Sequence, residues 1–183
     1  DEDGAADHRR ISSFTYDAAG NLLRSAYEDD LDGDGVFDVR QVNASTFDAS
    51  GRRLTEVFEE DLGADGSTDS RQSRVLTYDV AENLIGTVSE TDLDANGSVD
   101  SRVTSTNTYD GEGRRLTAAT ESDFNADGVV EFRQSIAFTY DSAGNAVTRI
   151  DEQDIDNDGD LALRLVRTFT YDAGGNALRA VEE

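Results

Sequence analysis

Residues 38–69 read D-V-R-Q-V-N-A-S-T-F-D-A-S-G-R-R-L-T-E-V-F-E-E-D-L-G-A-D-G-S-T-D, and this stretch decides the fold. Val39 to Phe47 is rich in β-branched, threonine and aromatic residues and has no glycine, which reads as a strand. Asp48-Ala49-Ser50-Gly51 fits a type I turn with Asp first and Gly fourth, the Gly taking the left-handed conformation of a G1 bulge. Leu54 to Glu59 reads as the returning strand, and the acidic loop beginning at Asp61 turns the chain back. Leu54 and Val57 are both apolar but fall on opposite sides of an ideal strand. Either both faces are partly covered or a bulge resets the alternation.

The same pattern runs the length of the chain. An aromatic preceded by Thr and followed by Asp stands at Tyr16, Phe47, Tyr78, Tyr109, Tyr140 and Tyr171, each interval being 31 residues. An apolar residue recurs at Leu23, Leu54, Ile85, Leu116, Val147 and Leu178, a Glu at Glu28, Glu59, Glu90, Glu121, Glu152 and Glu183, and an Arg at Arg9, Arg40, Arg71, Arg102, Arg133 and Arg164. A second, 62-residue period lies on top: Asn21, Asn83 and Asn145 follow the turn in odd copies, Arg52 and Arg114 in even ones. A repeat of this length is one supersecondary unit that needs its neighbours for stability. The expected fold is all-β, a tandem array of antiparallel β-hairpins in a solenoid- or spiral-like stack. A closed barrel or propeller-like blades are the alternatives. The array is read as single over residues 1–183, with units at 1–29, 30–60, 61–91, 92–122, 123–153 and 154–183. No 3.6-residue periodicity competes, and the absence of Pro suits strands that need every N–H.

The loop that closes each unit reads D-x-D-x-D-G-x-x-D in its first full copy: Asp30, Asp32 and Asp34 at positions 1, 3 and 5, Gly35 at 6, Val36 at 7 and Asp38 at 9. Alternating oxygen ligands, a backbone carbonyl at position 7 and a carboxylate at 9 suit a hard cation with six to eight oxygen ligands at ~2.3–2.6 Å, hence Ca2+ rather than Mg2+, which keeps several waters. The other candidate sets are Asp61, Asp65, Ser67 and Asp69; Asp92, Asp94, Asn96, Ser98 and Asp100; Asp123, Asn125, Asp127, Val129 and Glu131; and Asp154, Asp156, Asp158 and Asp160. About five Ca2+ sites are expected. Gly63 replaces the position-3 acid, so the Asp61 loop should bind weakly; Ala162 replaces the position-9 acid of the Asp154 loop, with Asp160 as the substitute. Asp1, Asp3 and Asp7 form a partial loop without its first ligand, and a sixth site shared between the termini of head-to-tail neighbours would build a filament. Position 2 is always apolar (Leu31, Leu62, Leu93, Phe124, Ile155) and is expected to anchor the loop on a core. Position 12 holds Gln41, Gln72, Val103, Gln134 and Leu165, not the bidentate Glu of an EF-hand. Glu28 and Arg40 flank the loop as cross-strand neighbours and read as an ion pair closing its base, with Glu28 as an additional metal ligand the alternative.

Composition narrows the function. The formal charge is −24, from 40 acids against 16 bases, so nucleic acid and anionic membranes are not expected partners and cations are. There is no Cys, hence no disulfide or thiolate metal site, and no apolar run of the roughly 20 residues that a membrane helix needs. No enzyme is expected: His8 is the only His and reads as an ordinary strand residue, and no nucleophile elbow or phosphate-binding Gly loop occurs.

Thr15-Tyr16-Asp17-Ala18-Ala19-Gly20-Asn21-Leu22-Leu23 resembles the YD repeat of Rhs-type bacterial surface and toxin proteins, and the D-x-D-x-D-G-x-x-D loop is similar to the calcium loops of FG-GAP propeller repeats. The first resemblance implies a spiral of β-hairpins, the second a calcium site. This sequence departs from ordinary YD repeats by placing an acidic loop in every unit, and it carries no recognisable Rhs toxin or autoproteolytic segment.

The expected function is that of a secreted or cell-surface structural repeat, a fibre, stalk or surface-layer segment, rigidified by Ca2+. An adhesin is the alternative, presenting Tyr27 and Phe58 where later copies have Ser89, Thr120, Asp151 and Glu182; an Rhs-like shell fragment is another.

Overall fold

The computed structural model describes residues 8–183; the expected partial loop at Asp1, Asp3 and Asp7 lies outside the described residues. Twelve strands follow in order: β1 Arg9–Tyr16, β2 Leu22–Asp30, β3 Val39–Phe47, β4 Arg53–Leu62, β5 Ser70–Tyr78, β6 Leu84–Asp92, β7 Ser101–Tyr109, β8 Arg115–Asp123, β9 Phe132–Tyr140, β10 Ala146–Asp154, β11 Leu163–Tyr171 and β12 Ala177–Glu182. They form one antiparallel sheet in sequence order. That order never returns on itself, so the sheet is open; neither a closed barrel nor separate blades describes it. The chain divides into two compact units, the described residues to Leu76 with Ser89–Ser101, and Thr77–Val88 with Arg102–Glu183.

The turns form as local chemistry dictates. In the first, Gly20 N donates to Asp17 O at 3.1 Å, and Asp17 N donates to Asn21 O at 3.0 Å, with Gly20 at φ +90°. The Asp17 carboxylate accepts from Ala19 N at 2.9 Å, Asn21 N at 2.8 Å and Asn21 Nδ2 at 2.8 Å. In even copies an Arg does the work of the Asn: Arg52 Nε donates to Asp48 at 2.7 Å and Arg114 Nε to Asp110 at 2.6 Å. At this turn, then, the alternation of Asn and Arg serves one job, satisfying the same aspartate.

A bulge follows every turn whose register is defined. Thr46 pairs with Thr55 and Phe47 with Arg53, so Leu54 is the extra residue. Leu23, Leu116, Val147 and Leu178 are stepped over in the same way. The bulge explains the parity conflict between Leu54 and Val57, because alternation restarts there. It also interrupts the ladder, and the next hairpin answers. Tyr140 Oη donates to Arg115 O at 2.7 Å and Tyr171 Oη to Ala146 O at 2.8 Å, each carbonyl lying just before a bulged residue; Tyr109 Oη reaches Leu84 O at 3.1 Å. The recurrent tyrosine thus stitches successive hairpins by satisfying a carbonyl left beside the bulge.

No thick apolar core forms among the described residues. Ala26 is the one buried apolar side chain among the described residues. The position-2 residues, expected to anchor the loops on a core, are exposed instead: Leu31, Leu62, Leu93, Phe124 and Ile155 are 54–69% accessible. With Ala26 the one buried apolar side chain among the described residues, no core is there for them to enter, and each is exposed. Stability therefore rests on ladders, turns and polar ties more than on burial.

Candidate metal centres

Among the described residues, seven of the nine buried polar side chains are aspartates. The position-1 aspartates Asp30, Asp61, Asp92, Asp123 and Asp154 are all buried, at 3–7% exposure. Four of them end a strand and Asp61 stands one residue before the end of β4, so the ladder carries each to the base of its loop, which then folds back over it. Its Oδ2 accepts the N–H of the position-6 glycine in every loop: Gly35 at 3.0 Å, Gly66 at 3.0 Å, Gly97 at 2.9 Å, Gly128 at 2.9 Å and Gly159 at 3.1 Å. Position 4 is left-handed throughout, at Gly33, Ala64, Ala95, Ala126 and Asn157, with φ from 46° to 75°. Such a conformation costs an alanine roughly 1–2 kcal/mol and persists only where surrounding contacts enforce it. The small residues at position 4 were the visible signal of this feature, which the reading of position 6 alone missed.

The position-9 carboxylate locks the loop by accepting the N–H of position 2: Leu31 N to Asp38 at 2.6 Å, Leu62 N to Asp69 at 2.5 Å, Leu93 N to Asp100 at 2.7 Å and Phe124 N to Glu131 at 2.8 Å. Ala162 offers Ile155 no such acceptor, although its N–H keeps the backbone tie to Gln153 O at 2.8 Å.

Among the described residues four groups of carboxylates converge, with oxygens of three residues all within 4.8 Å of one another: Asp30, Asp32 and Asp38; Asp92, Asp94 and Asp100; Asp123, Asp127 and Glu131; and Asp154, Asp156 and Asp158. The Asp61 loop, which has Gly63 at position 3, is not among them. Gly63 is itself left-handed, φ +90°, and its N–H donates to Asp38 O, tying this loop to the preceding one. Asp34 and Asp160 stand outside the groups; Asp34 Oδ1 accepts Val36 N at 2.7 Å, and Asp160 is exposed. The other position-5 groups are likewise engaged by the backbone two residues on, with Asp65 accepting Ser67 N, Asn96 accepting Ser98 N and Asp127 accepting Val129 N. Asn125 accepts Asp127 N at 3.1 Å. The Asp94 carboxyl is held below the usual carboxylate range, first by the Asn96 side-chain amide and then by the Asn96 backbone N–H.

One feature singles out three of these sites. Asp92 Oδ1, Asp123 Oδ1 and Asp154 Oδ1 are buried and have no hydrogen-bond partner. In the Asp30 and Asp61 loops the same atom accepts a backbone N–H, from Gly33 at 2.7 Å and Asp65 at 3.1 Å. A buried carboxylate oxygen without a partner is costly. An all-oxygen donor set converging on it fits a hard divalent cation.

The flanking Glu and Arg behave as an ion pair. Glu28 faces Arg40 across the ladder, with 3.6 Å between Glu28 Oε1 and Arg40 Nε. Arg71 with Glu59 (3.4 Å), Arg133 with Glu121 (2.6 Å) and Arg164 with Glu152 (3.0 Å) repeat it, and none of these glutamates joins a carboxylate group. His8 lies just before β1 rather than in it, with Nε2 3.3 Å from Asp29 Oδ1; Arg10 holds the same Asp29 through two bonds of 2.7 and 2.8 Å. Tyr27 and Phe58 are half-buried, Tyr27 meeting Phe14 edge to face at 6.0 Å.

No family model matches the chain, and no curated protein matches it. Among solved structures it is similar to a chain of the Photorhabdus luminescens Tc holotoxin pore carrying a TccC3 mutation, at 14% identity over 94% of this chain, with a TM-score of 0.23. The chain spans 14% of the length of that protein. No helix is long and apolar enough to cross a membrane among the described residues.

Proposed function

We propose that this chain is a calcium-binding structural repeat of an extracellular fibre, stalk or surface layer, rigidified by Ca2+ in its hairpin loops, and that it carries no catalysis. The observation that supports this reading is the buried, unpartnered Oδ1 of Asp92, Asp123 and Asp154, each within a converging carboxylate group. Three carboxylates within a few ångströms repel one another, and a divalent cation converts that repulsion into attraction. The residues that would hold it are Asp30, Asp32 and Asp38; Asp92, Asp94 and Asp100; Asp123, Asp127 and Glu131; and Asp154, Asp156 and Asp158. With Ala26 the one buried apolar side chain among the described residues, burial adds little to the ladders and turns, and calcium binding is coupled to folding. Extracellular modules bind calcium with dissociation constants of ~0.1–1 mM, which suits a chain that sets only after export.

The test is thermal unfolding in excess chelator and in millimolar calcium, with stoichiometry from isothermal titration calorimetry. A site filled at about 100 times its dissociation constant adds about 2.7 kcal/mol. The melting temperature should rise steeply with calcium; identical melting in the two conditions overturns the proposal.

A further inference from the structure

The four carboxylate groups are not equally complete. Three include the position-9 carboxylate, namely Asp38, Asp100 or Glu131; in the fourth, Ala162 occupies that position and the group closes on Asp154, Asp156 and Asp158 instead. The backbone is nevertheless in the same place, since Ala162 N donates to Gln153 O just as Asp100 N donates to Thr91 O and Glu131 N to Ser122 O. What is missing is the side chain alone. Asp154 keeps its buried, unpartnered Oδ1 at 5% exposure, so the site retains its inward-facing ligand while lacking its outer one. Asp160, the substitute expected from the sequence, stays outside the group.

A groove lies beside this loop, lined by Arg133, Ser135, Glu152, Asp154, Gly159 and Leu161, with a volume of about 180 Å³. The grooves beside the Asp92 and Asp61 loops, both of which keep a position-9 acid, measure about 110 and 210 Å³, so it is the missing side chain and not the size of the groove that sets the Asp154 loop apart. The space beside the Asp154 loop is far below that of a drug-sized pocket, but it admits a carboxylate with a short stem. Arg133, ion-paired with Glu121, faces Asp154 across the ladder and lines the groove together with Glu152, so the charge that draws an incoming anion is that of the bound cation.

We infer that the Asp154 loop is a cation site with an open coordination position that accepts a carboxylate from outside the loop. The ligand class is a carboxylate, from a small free acid or from an acidic side chain of a second copy of this chain. It completes the oxygen shell that Asp38, Asp100 and Glu131 complete from within at their own loops. The inference rests on the cation-binding reading above.

The chain has no tryptophan, so a single Trp excited at the red edge of its absorption, where the tyrosines do not absorb, sensitises Tb3+ luminescence at one chosen loop. Ile155 and Phe124 are exposed at 63% and 64%, and Ile155→Trp and Phe124→Trp place that probe at the open and the complete site of the same compact unit. Lifetimes in H2O and D2O count the waters on the ion. The expected result is about one more water at the Ile155→Trp loop than at the Phe124→Trp loop, and its loss when Ala162→Asp is added, given that Ca2+-type ions fill six to eight oxygen positions. Millimolar acetate should lengthen the H2O lifetime at the open loop and leave the Phe124→Trp and Ala162→Asp proteins unchanged. A lifetime that lengthens with protein concentration instead identifies the carboxylate as that of a second copy. Equal water counts at the two loops, or an acetate response that survives Ala162→Asp, overturn this inference while leaving cation binding intact. No sensitised emission at either loop overturns the cation reading itself.

Discussion

Aspartate does opposite things at the two ends of these hairpins. At the turn end the Asp141 carboxylate accepts Ala143 N at 2.9 Å, Asn145 N at 2.8 Å and Asn145 Nδ2 at 3.0 Å, and its bonding is complete within five residues. At the loop end, less than twenty residues away, Asp123 is buried with Oδ1 unpartnered and two further carboxylates turned towards it. The first is a local fold signal that needs nothing from outside. The second is a charge accumulation the protein does not satisfy by itself. The difference separates what shapes each hairpin from what calcium is proposed to add.

The largest expected effect breaks this comparison directly. Asp123→Asn should remove one calcium from the stoichiometry and, at calcium about 100-fold above the dissociation constant, about 2.7 kcal/mol of stability. In chelator the same substitution should cost little or raise the melting temperature, since it relieves carboxylate repulsion. Asp141→Ala should lower the melting temperature by the same amount in both conditions, because its partners are backbone and amide N–H groups. If Asp141→Ala is rescued by calcium, the two ends are not independent.

Acid offers a second separation. The Asp17, Asp141 and Asp172 carboxyls are held below the ordinary range, first by the side-chain amides of Asn21, Asn145 and Asn176 and then by backbone N–H groups. Asp48 is lowered first by the Arg52 N–H, and Asp110 is lowered although desolvation, its largest single influence, opposes the shift. A carboxyl lowered in the folded state binds fewer protons than in the unfolded chain, so stability rises with pH through that window. The contribution is complete above the unfolded value, about 3.9, and is lost as pH falls through the lowered folded values. In chelator, melting temperature measured from pH 6 downwards should hold to about pH 4 and then decline. A decline centred well above that would point to groups other than the turn aspartates.

The Asp61 loop sharpens the comparison from within the loops. It has the same buried first aspartate, the same glycine N–H bond and the same position-9 lock as its neighbours, yet it gathers no carboxylate group. Gly63→Asp restores the missing acid but places a side chain at φ +90°, at a cost of about 1–2 kcal/mol. The expected outcome is a lower melting temperature in chelator together with one more calcium per chain by calorimetry. Unchanged stoichiometry would show that the Gly63–Asp38 backbone tie, and not the missing acid, sets this loop apart.

These contrasts also mark what the sequence made legible. The turns and loops were readable because their chemistry is local: Asp with Gly three residues later specifies a turn, and acids at alternate positions specify a convergent loop. Hairpin register followed from the turns. The bulge at Leu54 was one of two readings of a parity conflict, and deciding between them needed the ladder. Leu31, Leu62, Leu93, Phe124 and Ile155 read as anchors because apolar recurrence normally reports a core, yet all five are exposed. Nothing in one chain says whether an apolar row faces a second layer. The tyrosine hydroxyl was missed for a similar reason: its partner carbonyl lies 25 residues earlier and becomes available only through the bulge.

That tyrosine gives the smallest and most local test. Tyr140 and Tyr171 each donate to a carbonyl of the preceding hairpin, whereas Phe47 has the ring and lacks the hydroxyl. Its counterpart carbonyl would be that of Leu22, 25 residues earlier, beside the bulge at Leu23. Tyr140→Phe should cost about 0.5–1.5 kcal/mol, the net worth of one hydrogen bond, with or without calcium. Phe47→Tyr should gain no more than that, because Arg53 already lies 5.9 Å over the Phe47 ring and must accommodate the hydroxyl. Denaturant unfolding in chelator measures both without interference from the loops. If Tyr140→Phe is neutral, the bulge carbonyl is satisfied by water and the tyrosine acts through its ring, over which Arg114 sits at 4.9 Å. In that case Arg114→Gln should cost what the hydroxyl does not, and the stitch between hairpins would be a cation–π contact.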